Sequence, residues 1–374
     1  MFQLGEAADH RGKTAAMTAV GGVSAKKVLL AAAGFAALLL LLYMNRAMQP
    51  GMKGGNYPLQ ELYHKYTTET ETYDFIIVAD MDQSSKMDGQ QKWKSELVHG
   101  RLIRNPHLGT YSVAMQEDVR TLVSSYNDGA RGMELSDICN FNGKVYTFDD
   151  RTGLVYEIGE SHFSPAFVLA DGDGTDGKGF KAEWCTVKND ELYIGGMGKE
   201  WTDQKGNFVN YNPMYVKTIS ASGELKHVRW VDEYNAVRKA TGTLSPGYIL
   251  NEAVVWLPNT GDDGKGRWLI TPRRLSKEKY DAELDEYRCT NKGMLATEDF
   301  SSVTVLDDIG GLIRTRGFSS IKFLPFRENE VVVLKTEEVS GANTYMMVYN
   351  LNTGEILMPD THVGNNKFEG LEFV

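Results

Sequence analysis

The chain has 374 residues, 42% hydrophobic and 24% charged, enough apolar material for one large all-β domain or two smaller ones. Its formal net charge is −10 and it has no long basic run, which disfavours a role in gripping the phosphate backbone of nucleic acid. An acidic chain that handles anionic substrates usually needs a bound cation to offset repulsion. The three cysteines, Cys139, Cys185 and Cys289, form no CxxC pair. Such a sparse, odd set argues against a disulfide framework and a zinc or iron–sulfur site, leaving three buried thiols or one disulfide and a free thiol.

Residues 1–27 form a polar tail ending in Lys26 and Lys27, and Val28 to Met44 is an unbroken apolar run. The run is near the short limit for a helix that spans a bilayer, and the flanking lysines orient it with the tail in the cytoplasm. The expectation is a single-pass type II protein: cytoplasmic tail 1–27, transmembrane signal anchor 28–44, polar stem 45–70. The folded part, 71–374, then lies in the ER or Golgi lumen or outside the cell. Cleavage of this segment as a signal peptide, giving a secreted form, is the alternative.

Past the stem, short apolar segments alternate with turn signals, and amphipathic helix periodicity is almost absent. FIIVADMD (75–82), KVYTFDD with LVYEI (144–158), ELYIGG (191–196), RWLITP (267–272), EVVVLK (330–335) and YMMVYNLNTGEILM (345–358) read as strands. Two hairpins echo one another, YTFDDRTGLVYEI and MVYNLNTGEIL, each with a Thr-Gly turn. Five polar residues interrupt apolar strands: Ser136, Glu183, Glu252, Ser319 and Glu369, at intervals of 47, 69, 67 and 50 residues. Each interval accommodates a four-stranded antiparallel unit, which predicts a five-bladed β-propeller with one polar residue per blade on its axis. Three converging carboxylates repel, and a hard cation with oxygen ligands, calcium above all, relieves that repulsion. The competing reading is five solvated strand-edge residues.

Acids also follow strands: Asp80 and Asp82 in IIVADMD, and Asp149 and Asp150 before Arg151 in YTFDDRTG. Hydrolysis of a phosphoanhydride needs a carboxylate to direct water and cations on the phosphate oxygens. Asp80, Asp82 and Asp150 are therefore catalytic candidates with Arg273, although DDRTG also suits an ordinary turn. Arg131, Arg151 and Lys181 are phosphate-binding candidates. Trp184 is either a base-stacking platform or a core residue. The stretch DGDGTDGKGFKAE resembles an EF-hand loop, but Thr175, Asp176 and Ala182 occupy three defining positions, so it reads as an acidic turn.

The blocks IIVADMD, GRGMELSDICNFNGKVYTFDDRTGLVYEI, DGDGTDGKGFKAEW, GGMGKEWT, NYNPMYVK, GFSSIKFLP and KFEGLEFV resemble the calcium-activated nucleotidase (apyrase) family from about residue 57 to the C-terminus. The resemblance implies a five-bladed propeller with one calcium in its channel, liganded by Ser136, Glu183, Glu252, Ser319 and Glu369. It places active-site acids on Asp80 and Asp150 and a basic site residue on Arg273. It also implies hydrolysis of nucleoside diphosphates, commonly UDP and GDP, with ADP or triphosphates to varying degrees. The long intervals imply blade insertions around 203–213 and 259–290. The expected partners are the nucleotide, the membrane and a second copy in a homodimer, and nucleic acid is not among them. Two other readings stand beside this one: a calcium-dependent propeller lactonase or esterase, and a non-catalytic scaffold in which calcium is structural.

Overall fold

Strand β1 (Glu71–Asp80) carries the run FIIVA with no polar face, and its side chains divide between two cores. Phe75, Ile77 and Ala79 pack with Val332, Leu334 and Met346. Ile76 and Val78 pack instead with Leu135, Ile138 and Tyr156. A strand buried on both faces reads as a continuous apolar run. The computed structural model describes residues 71–203, 206–258, 264–339 and 341–374, and it repeats this arrangement around a ring. The expected tail, anchor and stem lie outside the described residues. No described helix is long and apolar enough to cross a membrane.

Blade 1 contains β1, β2 (Trp93–Arg104) and β3 (Tyr111–Ser124), and blade 2 contains β4 (Leu135–Phe141), β5 (Lys144–Asp149), β6 (Leu154–Ile158) and β7 (Phe163–Val168). In blade 3, β8 (Trp184–Lys188) and β9 (Glu191–Gly195) are followed by a separate hairpin, β10 (Trp201–Thr202) and β11 (Phe208–Asn210). The blade then resumes with β12 (Tyr215–Ser220) and β13 (Leu225–Arg229). Blade 4 is β14 (Tyr248–Leu257), β15 (Arg267–Ser276), β16 (Met294–Thr297) and β17 (Val303–Val305); blade 5 is β18 (Arg316–Phe323), β19 (Glu330–Glu337), β20 (Asn343–Asn350) and β21 (Ile356–Gly364). The last strand, β22 (Lys367–Phe373), pairs with β1 as the innermost strand of blade 1, so the C-terminus closes the ring. The architecture is an all-β five-bladed propeller.

Five hydrophobic clusters fill the five blade interfaces. Several strands contribute to two of them by alternation: Trp268 and Ile270 of β15 face blade 3, and Leu269 faces blade 5. Full burial of one such side chain stabilises the ring by about 1.5–3 kcal/mol. Both Thr-Gly hairpins occur as expected, between β5 and β6 and between β20 and β21, with Gly153 and Gly354 at φ 69° and 72°. All three cysteines are free and buried.

The β10–β11 hairpin and the stretch after β15 fall where insertions are expected, and a helix adds to them. Blade 3 is lengthened by the β10–β11 hairpin and by a helix, Val231–Thr241, that sequence periodicity missed. Its buried stripe is only Val231, Tyr234, Val237 and Arg238, too short to stand out among strands. Blade 4 is lengthened after β15, across residues 277–293, and residues 259–263 lie outside the described residues.

Candidate active site

All five interrupting polar residues sit on or at the start of an innermost strand, each at a break in its pairing. The register shifts between Leu135 and Ile138 around Ser136, between Asn251 and Ala253 around Glu252, and between Phe318 and Ser320 around Ser319. Val78 pairs with Gly370 and Ala79 with Phe368, so the ladder skips Glu369. Glu183 donates its N–H to the Gly195 carbonyl at 2.8 Å, although its neighbour Trp184 is the residue registered with Gly195. A bulge adds an unpaired residue and re-aims its side chain. That is how a strand committed to hydrophobic layers on both faces can still aim a polar group down the axis.

Glu183, Glu252 and Glu369 line a cavity of about 380 Å³, whereas Ser136 and Ser319 are not among its lining residues. Antiparallel pairing sets the start of each inner strand beside the C-terminal end of its neighbour. A second group of residues therefore reaches the same mouth: Asp80 from β1, Asp150 after β5, Arg273 and Arg274 from β15, and Glu338 after β19. Nine carboxylates line the cavity against five lysines and arginines, an imbalance that favours a further cation.

Arg273 is buried and bridges Glu252 and Glu369, the latter at 2.6 Å, while its other terminal nitrogen meets Glu338 at 2.8 Å. Arg273 chiefly holds the Glu338 carboxyl down to about 2, against the opposing effect of burial. Lys367 pairs with Asp80 and also reaches Asp82 at 2.9 Å. Lys181 pairs with Asp150 and with Glu183 at 2.8 Å. Burial works against the Lys181 charge, but Asp150 and then Glu183 outweigh it and raise its pKa. Asp150 is the nearer partner, so Glu183 keeps less of that charge. Burial pushes Glu183 up to about 8 and Glu369 well above the usual carboxylate range.

The donors fit a hard divalent cation. The Ser136 hydroxyl and Asp150 Oδ1 are buried without a hydrogen-bond partner, and such orphans call for an explanation in a native fold. Ser319 donates to the Phe368 carbonyl at 3.1 Å, which leaves its oxygen lone pairs available. Three carboxylates and two hydroxyls make an all-oxygen set of the kind hard cations take. A second acidic group, Asp80, Asp82 and Glu134, brings its ligand atoms within 4.8 Å of one another. It is paired with Lys367 and Arg131, just as the three glutamates are paired with Lys181 and Arg273.

Three expected substrate contacts are corrected. Trp184 is fully buried, donates to the Gly196 carbonyl, and packs on Trp230 and Trp268, so it belongs to the blade 3–4 core. Arg131 is tied to Glu134 by two hydrogen bonds and to Asp82 at 3.0 Å. Neither Arg131 nor Arg151 lines the cavity, whereas Lys181, Arg273, Asp80, Asp82 and Asp150 do. Sequence reading missed Lys199, Trp201 and Tyr280 on the cavity wall. Lys199 and Trp201 lie within the block GGMGKEWT, and that block was the available signal. Lys199 donates to the Glu200 carbonyl at 2.9 Å and to Thr202 Oγ1 at 3.0 Å, and sits over the Tyr280 ring at 4.5 Å.

The apyrase family profile matches residues 81–374. The chain belongs to the apyrase family. It is 42% identical over 304 residues to soluble calcium-activated nucleotidase 1 of Rattus norvegicus, covering 81% of this chain and 74% of that protein. Apyrase apy-1 of Caenorhabditis elegans is 38% identical over 313 residues, covering 83% and 86%. An apyrase of Cimex lectularius is 37% identical over 304 residues, covering 80% and 81%. This apyrase is therefore a nucleotide-hydrolysing enzyme, which sets aside the lactone-opening and purely scaffolding alternatives.

Proposed function

We propose that this apyrase removes the terminal phosphate of nucleoside diphosphates in a calcium-dependent reaction, giving a monophosphate and inorganic phosphate. UDP and GDP are the foremost substrates, with ADP and triphosphates accepted besides. The observation that carries this reading is that three inner-strand glutamates, Glu183, Glu252 and Glu369, line one cavity together with the paired acids and cations of the neighbouring strand ends.

Glu183, Glu252, Glu369, Ser136 and Ser319 would hold the calcium, whose charge stabilises the phosphate oxygens and the leaving oxygen. Asp150 is the better-placed acid to direct water. Its Oδ2 is held by Lys181 while Oδ1 has no partner, whereas Asp80 accepts from the Asp82 N–H through Oδ1 and pairs with Lys367 through Oδ2. Lys199 supplies a phosphate contact, because it is not committed to a carboxylate in the way Lys181, Lys367, Arg273 and Arg274 are. Trp201 and Tyr280, which carry Lys178 and Lys199 over one ring face each, are the aromatic lining residues for the base. The cavity volume is within the range of about 300–1,000 Å³ usual for such ligands.

Phosphate release from a nucleotide panel, measured with calcium, with magnesium and with chelator, tests the reading. Diphosphate cleavage that requires calcium is expected; equal rates in chelator would overturn it. The anchored, lumen-facing topology belongs to the same proposal and rests on the apolar run 28–44 behind Lys26 and Lys27. Alkaline extraction of membranes from cells expressing the full chain should leave the activity in the pellet; complete release would overturn the anchor.

A further inference from the structure

Next to Ser136, and three residues on from Ser319, a buried ion pair joins two inner strands. Asp137 on β4 and Lys322 on β18 lie 3.3 Å apart, with side chains 4% and 9% exposed. Their strands are not neighbours in the ring: β4 packs on β22 and β8, and β18 packs on β14 and β22. Asp137 Oδ1 accepts from the Ile138 N–H at 2.9 Å and from Ser320 Oγ at 3.1 Å. Its Oδ2 accepts from the Cys185 N–H at 2.9 Å as well as from Lys322. Lys322 also donates to the Cys185 carbonyl at 3.3 Å. One carboxylate thus ties the inner strands of blades 2, 3 and 5. The fourth strand here, β22, touches the same point, since a Cβ on Gly370 would stand 2.9 Å from Asp137 Cα.

The nucleotide cavity uses none of these groups. Stability alone explains them poorly, because an apolar pair of similar shape is often as stable as a buried ion pair or more so. A hydrogen-bonded ion pair supplies a tie of fixed length and direction. Asp137 directly follows Ser136, and Ser320 directly follows Ser319, at the very bulges that aim those two hydroxyls. Any change in the length of the tie is passed to Ser136 through one residue, and to Ser319 through one residue by way of Ser320 and three by way of Lys322.

We infer that Asp137, Ser320 and Lys322 form a cross-channel brace that sets the aperture of the calcium ring and hence the ion it selects. The inference rests on the calcium reading proposed above. Titration calorimetry of calcium, strontium and magnesium into the full-length protein tests it. The double variant Asp137→Asn/Lys322→Met keeps shape and removes both charges. It should fold by circular dichroism, bind calcium about ten- to a hundredfold more weakly, and show a higher strontium-to-calcium affinity ratio as the ring loosens. A purely structural pair would lower the melting temperature and leave that ratio unmoved. A folded double variant with unchanged affinity and ratio overturns the brace. Should it fail to fold, Ser320→Ala removes one tie and keeps the charge pair: a loss of roughly two- to tenfold in calcium affinity is expected, and no change in affinity or ratio overturns the brace. Wild-type protein that binds no calcium at all would instead overturn the metal reading, and the brace with it.

Discussion

The channel holds two polar layers a single residue apart in sequence, and they are finished in opposite ways. In the lower one, both oxygens of Asp137 are taken by donors from three strands. In the upper one, the Ser136 hydroxyl and Asp150 Oδ1 have no partner, and burial drives Glu183 and Glu369 upward. The lower layer is enclosed, whereas the glutamates of the upper one face the cavity. A buried polar group left unmatched costs about 1–3 kcal/mol; that cost is tolerated where a ligand will later cover it and avoided where the groups serve the fold. On the reading proposed above, the upper layer receives the metal and the lower one holds its shape.

The contrast breaks most sharply at Glu183. Glu183→Gln keeps size and removes the charge from the upper layer. It should abolish calcium-stimulated UDP hydrolysis, with circular dichroism and melting in chelator close to wild type. Undiminished activity would mean that the unmatched layer is not a metal site. Asp150→Asn is expected next in size, lowering kcat roughly a hundred- to ten-thousandfold, the range for loss of general acid–base help. Asp80→Asn should cost less, because both Asp80 oxygens are already engaged by the protein. Single-turnover rates on the two variants decide the order, and equal losses would remove the distinction between a free and a committed carboxylate.

How much of this was legible in the sequence follows from the same physics. Blade strands announced themselves because burial on both faces needs runs such as FIIVA and EVVVLK. Ser136, Glu183, Glu252, Ser319 and Glu369 stood out because a polar residue inside such a run has to be aimed elsewhere. The bulges that do the aiming are pairing events between distant residues, and no local pattern records them. Trp184 misled for a related reason: adjacency to Glu183 in sequence places it on the opposite side of the strand, in the core. Lys199, Trp201 and Tyr280 reach the cavity only because insertions in blades 3 and 4 fold back over the mouth. Their local sequence carries no periodicity that says so.

Trp201 offers a milder test, since it touches neither layer. Stacking a base on an aromatic ring contributes about 1–3 kcal/mol, so Trp201→Ala should raise KM roughly five- to a hundredfold and leave kcat nearly unchanged. Steady-state kinetics on UDP and on inorganic pyrophosphate, which has no base, provide the check. An equal KM increase on both would place Trp201 with the phosphates and not the base.

The smallest effect follows from protons in the upper layer. The Glu183 carboxyl titrates near 4.5 when unfolded and is pushed by burial up to about 8 in the metal-free fold. Between those values the folded chain holds a proton that the unfolded chain has lost. Its contribution to stability is therefore complete below the lower value and disappears as pH rises through the upper one. Calcium needs the ionised carboxylate and must expel that proton. The rise in melting temperature produced by saturating calcium should then be larger at about pH 8.5 than at about pH 6, while the chelated protein loses stability over the same span. Thermal melts with calcium and with chelator at both pH values measure the difference. An increment that is flat, or that shrinks with pH, would show Glu183 already ionised without metal, with Lys181 rather than a proton balancing its charge.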